Sequence, residues 1–452
     1  GLIDPNAGGQ LDGATVSDNE IEGFENGLFA ATTDDGFTGS FDIVDNDLRN
    51  NGVQYLDNSD QIDGESVFNE NMFDNAAFST APQSTNDIIY SSIQDAVTDS
   101  QSGATLTVGS GTYAENVTVD IEGLSIEGAN AGTAGNADDR NDESTINGQV
   151  VIAADGVVFD GFEVSPPNAT NNENAEALRV RNTPDDVVVR NNIVQDFGED
   201  GVLEWEGIDG INIFGGSADD TVSNVTVSRN LIDGISGRST KGGAAGISVQ
   251  GNVEGADISD NTVRAIGEED TTWAFGVTVR GTEIDNVEET PTEVSVVDND
   301  ISSVLSNPES DTSGVGLGLE SGDATDVAFE GNNLTDTEFL FEDKTATVNL
   351  TDFADNNTLD RGAIVESDDA RNIIFNSAQV AQNAASVGDT VTILAGTYNE
   401  SVTVDTEAVT IEGPNAGIAP NSDDRSEEAI VTGGFSISAS DVQLTGLELR
   451  NP

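Results

Sequence analysis

The sequence predicts an all-β chain folded as a parallel β-solenoid and written in tandem. Two observations carry this reading. The stretch "GTYAENVTVD" from Gly111 returns as "GTYNESVTVD" from Gly396, and a shorter motif centred on asparagine recurs through the rest of the chain.

The long repeat comes first because it sets the boundaries. Aligned at an offset of 285 (396 − 111), residues 88–167 match 373–452 without a gap, with 36 identities in 80 positions. Each copy opens alike. Residues 91–100 place Ile93, Ala96 and Val97 at helical spacing, and Gly103 follows as a stop. Residues 376–386 with Gly388 repeat this more weakly. Strand-like, β-branched pieces come next: "TLTV", "ENVTVD" and "LSIEG", then "VTILA", "ESVTVD" and "VTIEG".

The short motif is an alternating apolar pair, two residues, Asn, a spacer, then an apolar residue. It places Asn19, Asn46, Asn71, Asn192, Asn230, Asn261, Asn299 and Asn332 in phase. The first spacings are 27 and 25 residues, and the later ones run from 31 to 38. A spacing near 25 with two or three short strands fits one coil of a solenoid. Wider spacings fit coils carrying outward loops, the widest at 195–222 and 265–292. The asparagine is expected to take the left-handed turn position, which it tolerates cheaply. Its amide is expected to bond to its copies ~4.8 Å up the stack.

Together, "GxYxExVxV" after a short helix, then "IxG" and "VxxxNxI" coils, resemble the right-handed parallel β-helix proteins of the pectin-lyase-like superfamily. The nearer resemblance is to the non-enzymatic NosD-like and surface-protein β-helix repeats of haloarchaea and other microbes. The resemblance implies a right-handed solenoid whose helix plugs the open end of the core. A plug in mid-chain then starts a new bead. Residues 1–85 read as the last coils of one bead, 86–370 as a complete bead, and 371–452 as the cap and first coils of another.

Composition narrows the function classes. There are 84 acidic and 15 basic residues, a net charge of −69, and only Lys241 and Lys344 are lysines. Periodic Val/Ile/Leu patterns argue against disorder despite this charge. An acidic, lysine-poor surface resembles proteins of salt-loving microbes, where molar salt screens self-repulsion. The same charge argues against nucleic acid and anionic membranes, which both demand basic patches. No apolar run reaches the ~18 residues of a membrane span, so direct insertion is not expected. Without cysteine or histidine, thiol chemistry, disulfides and histidine-based triads are absent.

The superfamily contains enzymes, but their equipment is missing here. "IQDAV" at Ile93 is a superficial echo of pectin methylesterases and lies in the helix. "NTPDD" at residues 182–186 is similar to part of the polygalacturonase pattern, without its histidine. A carboxylate pair near Trp205 could still cleave a glycosidic bond, with Asp185, Asp186, Glu199, Asp200 and Glu204 as candidates against a plain acidic loop. Two oxygen-rich loops, "NADDRNDE" and "NSDDRSEE", offer Asp138, Asp139, Asp142, Glu143, Asp423, Asp424, Glu427 and Glu428 as calcium ligands. The alternative there is an Asp–Arg bridge through Arg140 and Arg425. Sequons at Asn116, Asn168, Asn224, Asn333, Asn349, Asn356 and Asn399 would accept N-glycans in a secreted protein.

The expectation is a non-enzymatic, extracellular or cell-surface structural protein of a halophilic archaeon or its virus. It would self-associate into a stiff rod, fibre or filament for adhesion or surface assembly, or bind other surface proteins and glycans. No cofactor is expected beyond calcium. The competing expectation is an enzyme or lectin acting on polysaccharide. Thermal melts recorded across a salt series should rise steeply with salt; a flat response would refute the halophilic reading.

Overall fold

The computed structural model describes residues 2–3, 14–30, 41–57, 62–81, 87–168, 175–198, 207–237, 243–268, 271–284, 286–306, 314–320, 326–366 and 371–450. Among the described residues it is all-β, with 49% strand and 7% helix. Described residues up to 168, with 176–197 and 211–231, form one compact unit; 175, 198, 207–210 and those from 232 to 450 form another.

In each unit the strands are short, parallel and stacked. In the first unit Val117–Val119, Val150–Ile152 and Glu176–Val180 pair in that order. Ser125–Glu127, Val158–Asp160, Val188–Arg190 and Val222–Ser228 make a second stack. Gly111–Tyr113, Ser144–Ile146, Glu163–Val164 and Ile193–Gly198 make a third. The chain visits the three stacks in turn, so every third strand pairs, as in a parallel β-helix. The second unit repeats the scheme. Ala244–Gly251, Ala274–Arg280, Gly314–Leu319 and Phe339–Asp343 stack in one sheet, and Thr262–Ile266, Asp300–Val304 and Asn333–Thr337 in another.

Registration puts like on like. Ile126, Phe159, Val189 and Val227 lie in one column and are all fully buried. Alternation does the rest: in Val117–Val119 the valines are buried and Thr118 is exposed. Each buried side chain of this size contributes about 1.5–3 kcal/mol. One column of the second unit is glycine: Gly246, Gly276, Gly316. A Cβ on Gly276 would meet Ile301 Cγ2 at 2.5 Å and the Gly316 carbonyl at 2.6 Å, so the core leaves no room for a methyl group.

The asparagines form hydrogen-bonded runs. Asn46 donates its backbone N–H and its Nδ2 to Asn71 Oδ1, both at 2.9 Å, and Nδ2 also reaches the Val16 and Val44 carbonyls. Asn19 bonds to Asn46, and Asn192 to Asn230, in the same way. In the second unit the run is Asn261, Asn299, Asn332 and then Asn357. Each amide therefore satisfies the turn above it and the strand beside it.

Two details depart from the sequence expectation. The left-handed position belongs to the residue before the ladder asparagine: Asp18, Asp45, Asn191, Arg229, Asp260, Asp298 and Gly331 have φ between 56° and 68°. The asparagine is thereby freed to point its amide along the stack. Secondly, the residues before Asn71 are helix, not strand. Helix α1, Gly64–Glu70, ends on Asn71, whose Nδ2 donates to the Val67 carbonyl at 2.8 Å. Asn299→Ala should cost about 3 kcal/mol, because it leaves the Asn261 N–H and the Asn332 Oδ1 side short of partners in a buried site. Asn19→Ala, at the exposed end of its run, should cost less than about 1 kcal/mol; equal losses in chemical denaturation would count against the ladder as a buried network.

Candidate functional site

The most elaborated place in the molecule occurs twice, at residues 53–127 and 339–412. The first copy contains β1 (Val53–Asp57), α1, β2 (Ala77–Ser79), β3 (Asp87–Tyr90), helix α2 (Ile93–Asp99) and β4 (Thr105–Val108). The second contains β5 (Phe339–Asp343), helix α3 (Leu350–Asn356), β6 (Ala363–Glu366), β7 (Asn372–Phe375), helix α4 (Ala378–Ala384) and β8 (Thr390–Ile393).

Here parallel stacking is interrupted. β1 pairs antiparallel with β3, β3 with β2, and β2 with β4. Beyond β4 parallel pairing resumes with Ser125–Glu127. The second copy has the same order, β5, β7, β6, β8, again antiparallel throughout, and the parallel stack resumes with Thr410–Glu412. Even the register slip recurs, between Val53 and Tyr55 and between Phe339 and Phe341. Sequence order and spatial order are thus interleaved.

The repeated decapeptide builds this junction. Gly111 and Gly396 have φ of 151° and 145°, and a Cβ would fall 2.3 Å from the Asp74 carbonyl or 2.7 Å from that of Asp360. Tyr113, 1% exposed, accepts the Ala76 N–H at 2.9 Å and lies within bonding distance of the Ala76 and Gly109 carbonyls. Tyr398 does the same with Gly362 N–H at 2.9 Å and the Gly362 and Leu394 carbonyls. Burial pushes both phenols above their ordinary range.

Glu115 and Glu400 cap the helices. Glu115 accepts from Ser92 Oγ at 2.6 Å, Ile93 N at 2.8 Å and Gln94 N at 3.1 Å. Glu400 accepts from Ser377, Ala378 and Gln379 at 2.6, 2.8 and 3.2 Å. A carboxylate suits these orphan N–H groups. The Gln94 amide then takes the Thr118 N–H at 2.7 Å and donates to the Thr118 carbonyl, acting as a one-residue strand along an open edge. Gln379 treats Thr403 identically.

Upstream, a second correspondence runs at an offset of 286 and was not seen in the sequence. α3 is α1 displaced (64 + 286 = 350), and Asn357 is Asn71 displaced (71 + 286 = 357). Asn357 Nδ2 donates to the Phe353 and Phe329 carbonyls, as Asn71 does to Val67 and Ile43. Asp343, fully buried, accepts four hydrogen bonds from Thr345, Thr347 and Val348; Asp57 occupies the equivalent place and accepts the Ile62 N–H. The signal was present in "DFADNNTL", whose one-residue shift and helical flank hid it.

The other candidates are placed as follows. In the acidic loops Asp138, Asp139, Asp142, Asp423, Asp424 and Glu427 are exposed. Glu143 receives Arg140 at 2.7 and 2.8 Å, and Glu428 receives Arg425 at 2.6 and 2.8 Å. Arg140 also donates to the Thr133, Ala134 and Asn191 carbonyls, pinning the loop. Among the described residues, no group of three or more acidic side chains is gathered as a metal site. Asp185 accepts from Ser223 Oγ and Asn224 Nδ2, which hold its carboxyl below the usual range, a poor state for an acid catalyst. Asp186 is exposed; Glu199, Asp200, Glu204 and Trp205 lie outside the described residues. Of the sequon asparagines, Asn116, Asn168, Asn224, Asn349, Asn356 and Asn399 are exposed and Asn333 is half-buried. Asn224 and Asn333 already donate to Asp185 and Asp300.

The bonds from Arg425 hold the Glu428 carboxyl below its ordinary value. Its contribution is therefore present above the ordinary glutamate range near ~4.3 and is lost as pH falls through the depressed folded value. Glu428→Gln should lower the melting temperature above pH ~5 and match the parent by pH ~2–3; a pH-independent difference would refute the pairing.

No family model matches the chain, and no curated protein is significantly similar to it.

Proposed function

We propose that this chain is a segment of a structural array: right-handed parallel β-helix modules joined end to end, working outside the cell or at its surface as a stiff rod or fibre. The observation that supports this most directly is the junction built twice from matching residues. One module's terminal helix and buried aspartate are followed by the next module's tyrosine hook and carboxylate-capped helix. In this reading α2 and α4 plug the start of a module, and α1 and α3 close the end of the one before. The boundaries fall near 85 and 370, and the acidic surface suits a molar-salt habitat of an archaeon or its virus. Adhesion or surface assembly follows from stiffness, because each strand is satisfied by its neighbours. Negative-stain images in molar salt should show thin, straight particles; round particles would overturn the rod.

A second reading, carbohydrate binding, is favoured by one face of the second unit. Trp273 lies 5.9 Å from Phe275 with Arg280 over its ring, and the hydroxyls of Ser248 and Thr278 are buried there without partners. Glu342, raised by burial, adjoins Lys344 and Arg371. Aromatic rings beside hydroxyls and mixed charges suit a sugar. Calorimetry against an oligosaccharide panel tests it: binding lost in Trp273→Ala would support this reading, and no heat with any sugar would remove it. Calcium is tested in the same experiment: heat that Asp138→Asn reduces would support binding at the acidic loops, and no heat would remove calcium from the reading.

A further inference from the structure

We infer that the junction is a strand-exchange interface that a second copy of this chain can complete in trans. This deepens the array reading and rests on its module boundaries. The geometry points to it through ownership of the strands. Residues before the boundary near 370 supply β5 and β6, and residues after it supply β7 and β8. In space they alternate β5, β7, β6, β8, so each side inserts one strand between two strands of the other. Side chains lock the same interlock. Tyr398 holds Gly362; Arg361 Nε donates to the Asn376 carbonyl at 2.9 Å; Asn376 Nδ2 donates to the Thr337 carbonyl at 2.7 Å; Arg371 pairs with Glu342.

The first junction is interlocked likewise, with Tyr113 on Ala76, Ser91 Oγ on the Gly52 carbonyl and Asn75 Nδ2 on the Thr112 carbonyl. Both downstream halves present the same glycine, tyrosine, glutamate and glutamine. An upstream half therefore finds the same hooks on either downstream half, whichever molecule carries it. The only covalent link across the second boundary is the short stretch between β6 and β7. The occupant is another copy of this chain, exchanging its downstream half, because the complementary surface is one that the chain already carries. Exchange of an identical element is a low-cost route to association.

The test uses the whole chain with a protease site placed within residues 367–370, folded in molar salt and then cut. The two pieces should co-elute at the position of the uncut chain. Cut batches carrying different fluorophores on the two pieces, mixed, opened in low salt and returned to molar salt, should show energy transfer between molecules. Tyr398→Phe in the cut chain should raise the rate at which the pieces separate roughly tenfold, the loss of about one hydrogen bond. If the downstream piece fails to refold after opening, uncut chain taken through the same salt cycle at rising concentration still reports, since exchange must yield dimers. Separation of the pieces on cutting in molar salt would overturn the proposal, as would a salt cycle giving only monomer. A round particle by microscopy would remove the rod and leave this interface standing.

Discussion

Parallel stacking satisfies every strand except the last. At each end of such a stack a full row of backbone N–H and C=O groups has no partner, and an unpaired edge both costs stability and invites aggregation. Much of this molecule answers that constraint. Where one parallel stack gives way to the next, four antiparallel strands are interposed, and the terminal row is paired instead of exposed. Where no strand is available, a glutamine side chain substitutes for one, as Gln94 does against Thr118. The asparagine runs solve the same problem at the turns, whose buried peptide groups have no strand beside them.

Much of the fold and half of the junction were legible in the sequence. The decapeptide marked the downstream half because its residues sit at fixed spacing in both copies, and Tyr113, Tyr398 and the flanking valines are buried as their pattern implies. Stacked asparagines were visible because each repeats in phase with an apolar residue. The upstream half was hidden for a physical reason. Its main conserved features are backbone geometry, a short helix and a buried carboxylate, and few residue types are obliged to recur. Val67 and Phe353 fill the same place with different volumes. The left-handed residue was misassigned because asparagine is the obvious tenant of that conformation. The ladder needs the asparagine amide one position later, and Asp, Asn, Arg or Gly then suffices before it.

Charge shapes which groups carry the polar work. With 15 cations against 84 acids, few carboxylates can be paired. Several of the acids that matter most are satisfied by peptide N–H groups and hydroxyls: Glu115, Glu400 and Asp343 together accept ten such bonds. This solution needs no counter-ion and is weakly sensitive to screening, unlike an exposed ion pair. The guanidinium groups are kept for places where one fork can hold a whole loop. Arg140 binds a carboxylate and three carbonyls at once, which a lysine could not reproduce.

The differences between the two decapeptides are as informative as their agreement. They differ at Ala114/Asn399 and at Asn116/Ser401, all four exposed: Asn116 Oδ1 accepts the Gln149 N–H, Asn399 Oδ1 accepts the Thr432 hydroxyl, and Ser401 Oγ donates to the Gly433 carbonyl. Among the invariant positions, glycine lies against the preceding chain, tyrosine on the connecting strand, glutamate on the helix and the valines in the core. A stretch kept only for packing one coil is free to vary, as Val150–Ile152 and its counterpart Phe435–Ile437 do, where the isoleucine alone of three residues is shared. Retention of the glycine, tyrosine and glutamate besides is what an obligation to a second partner produces. That partner is the end of the preceding stack.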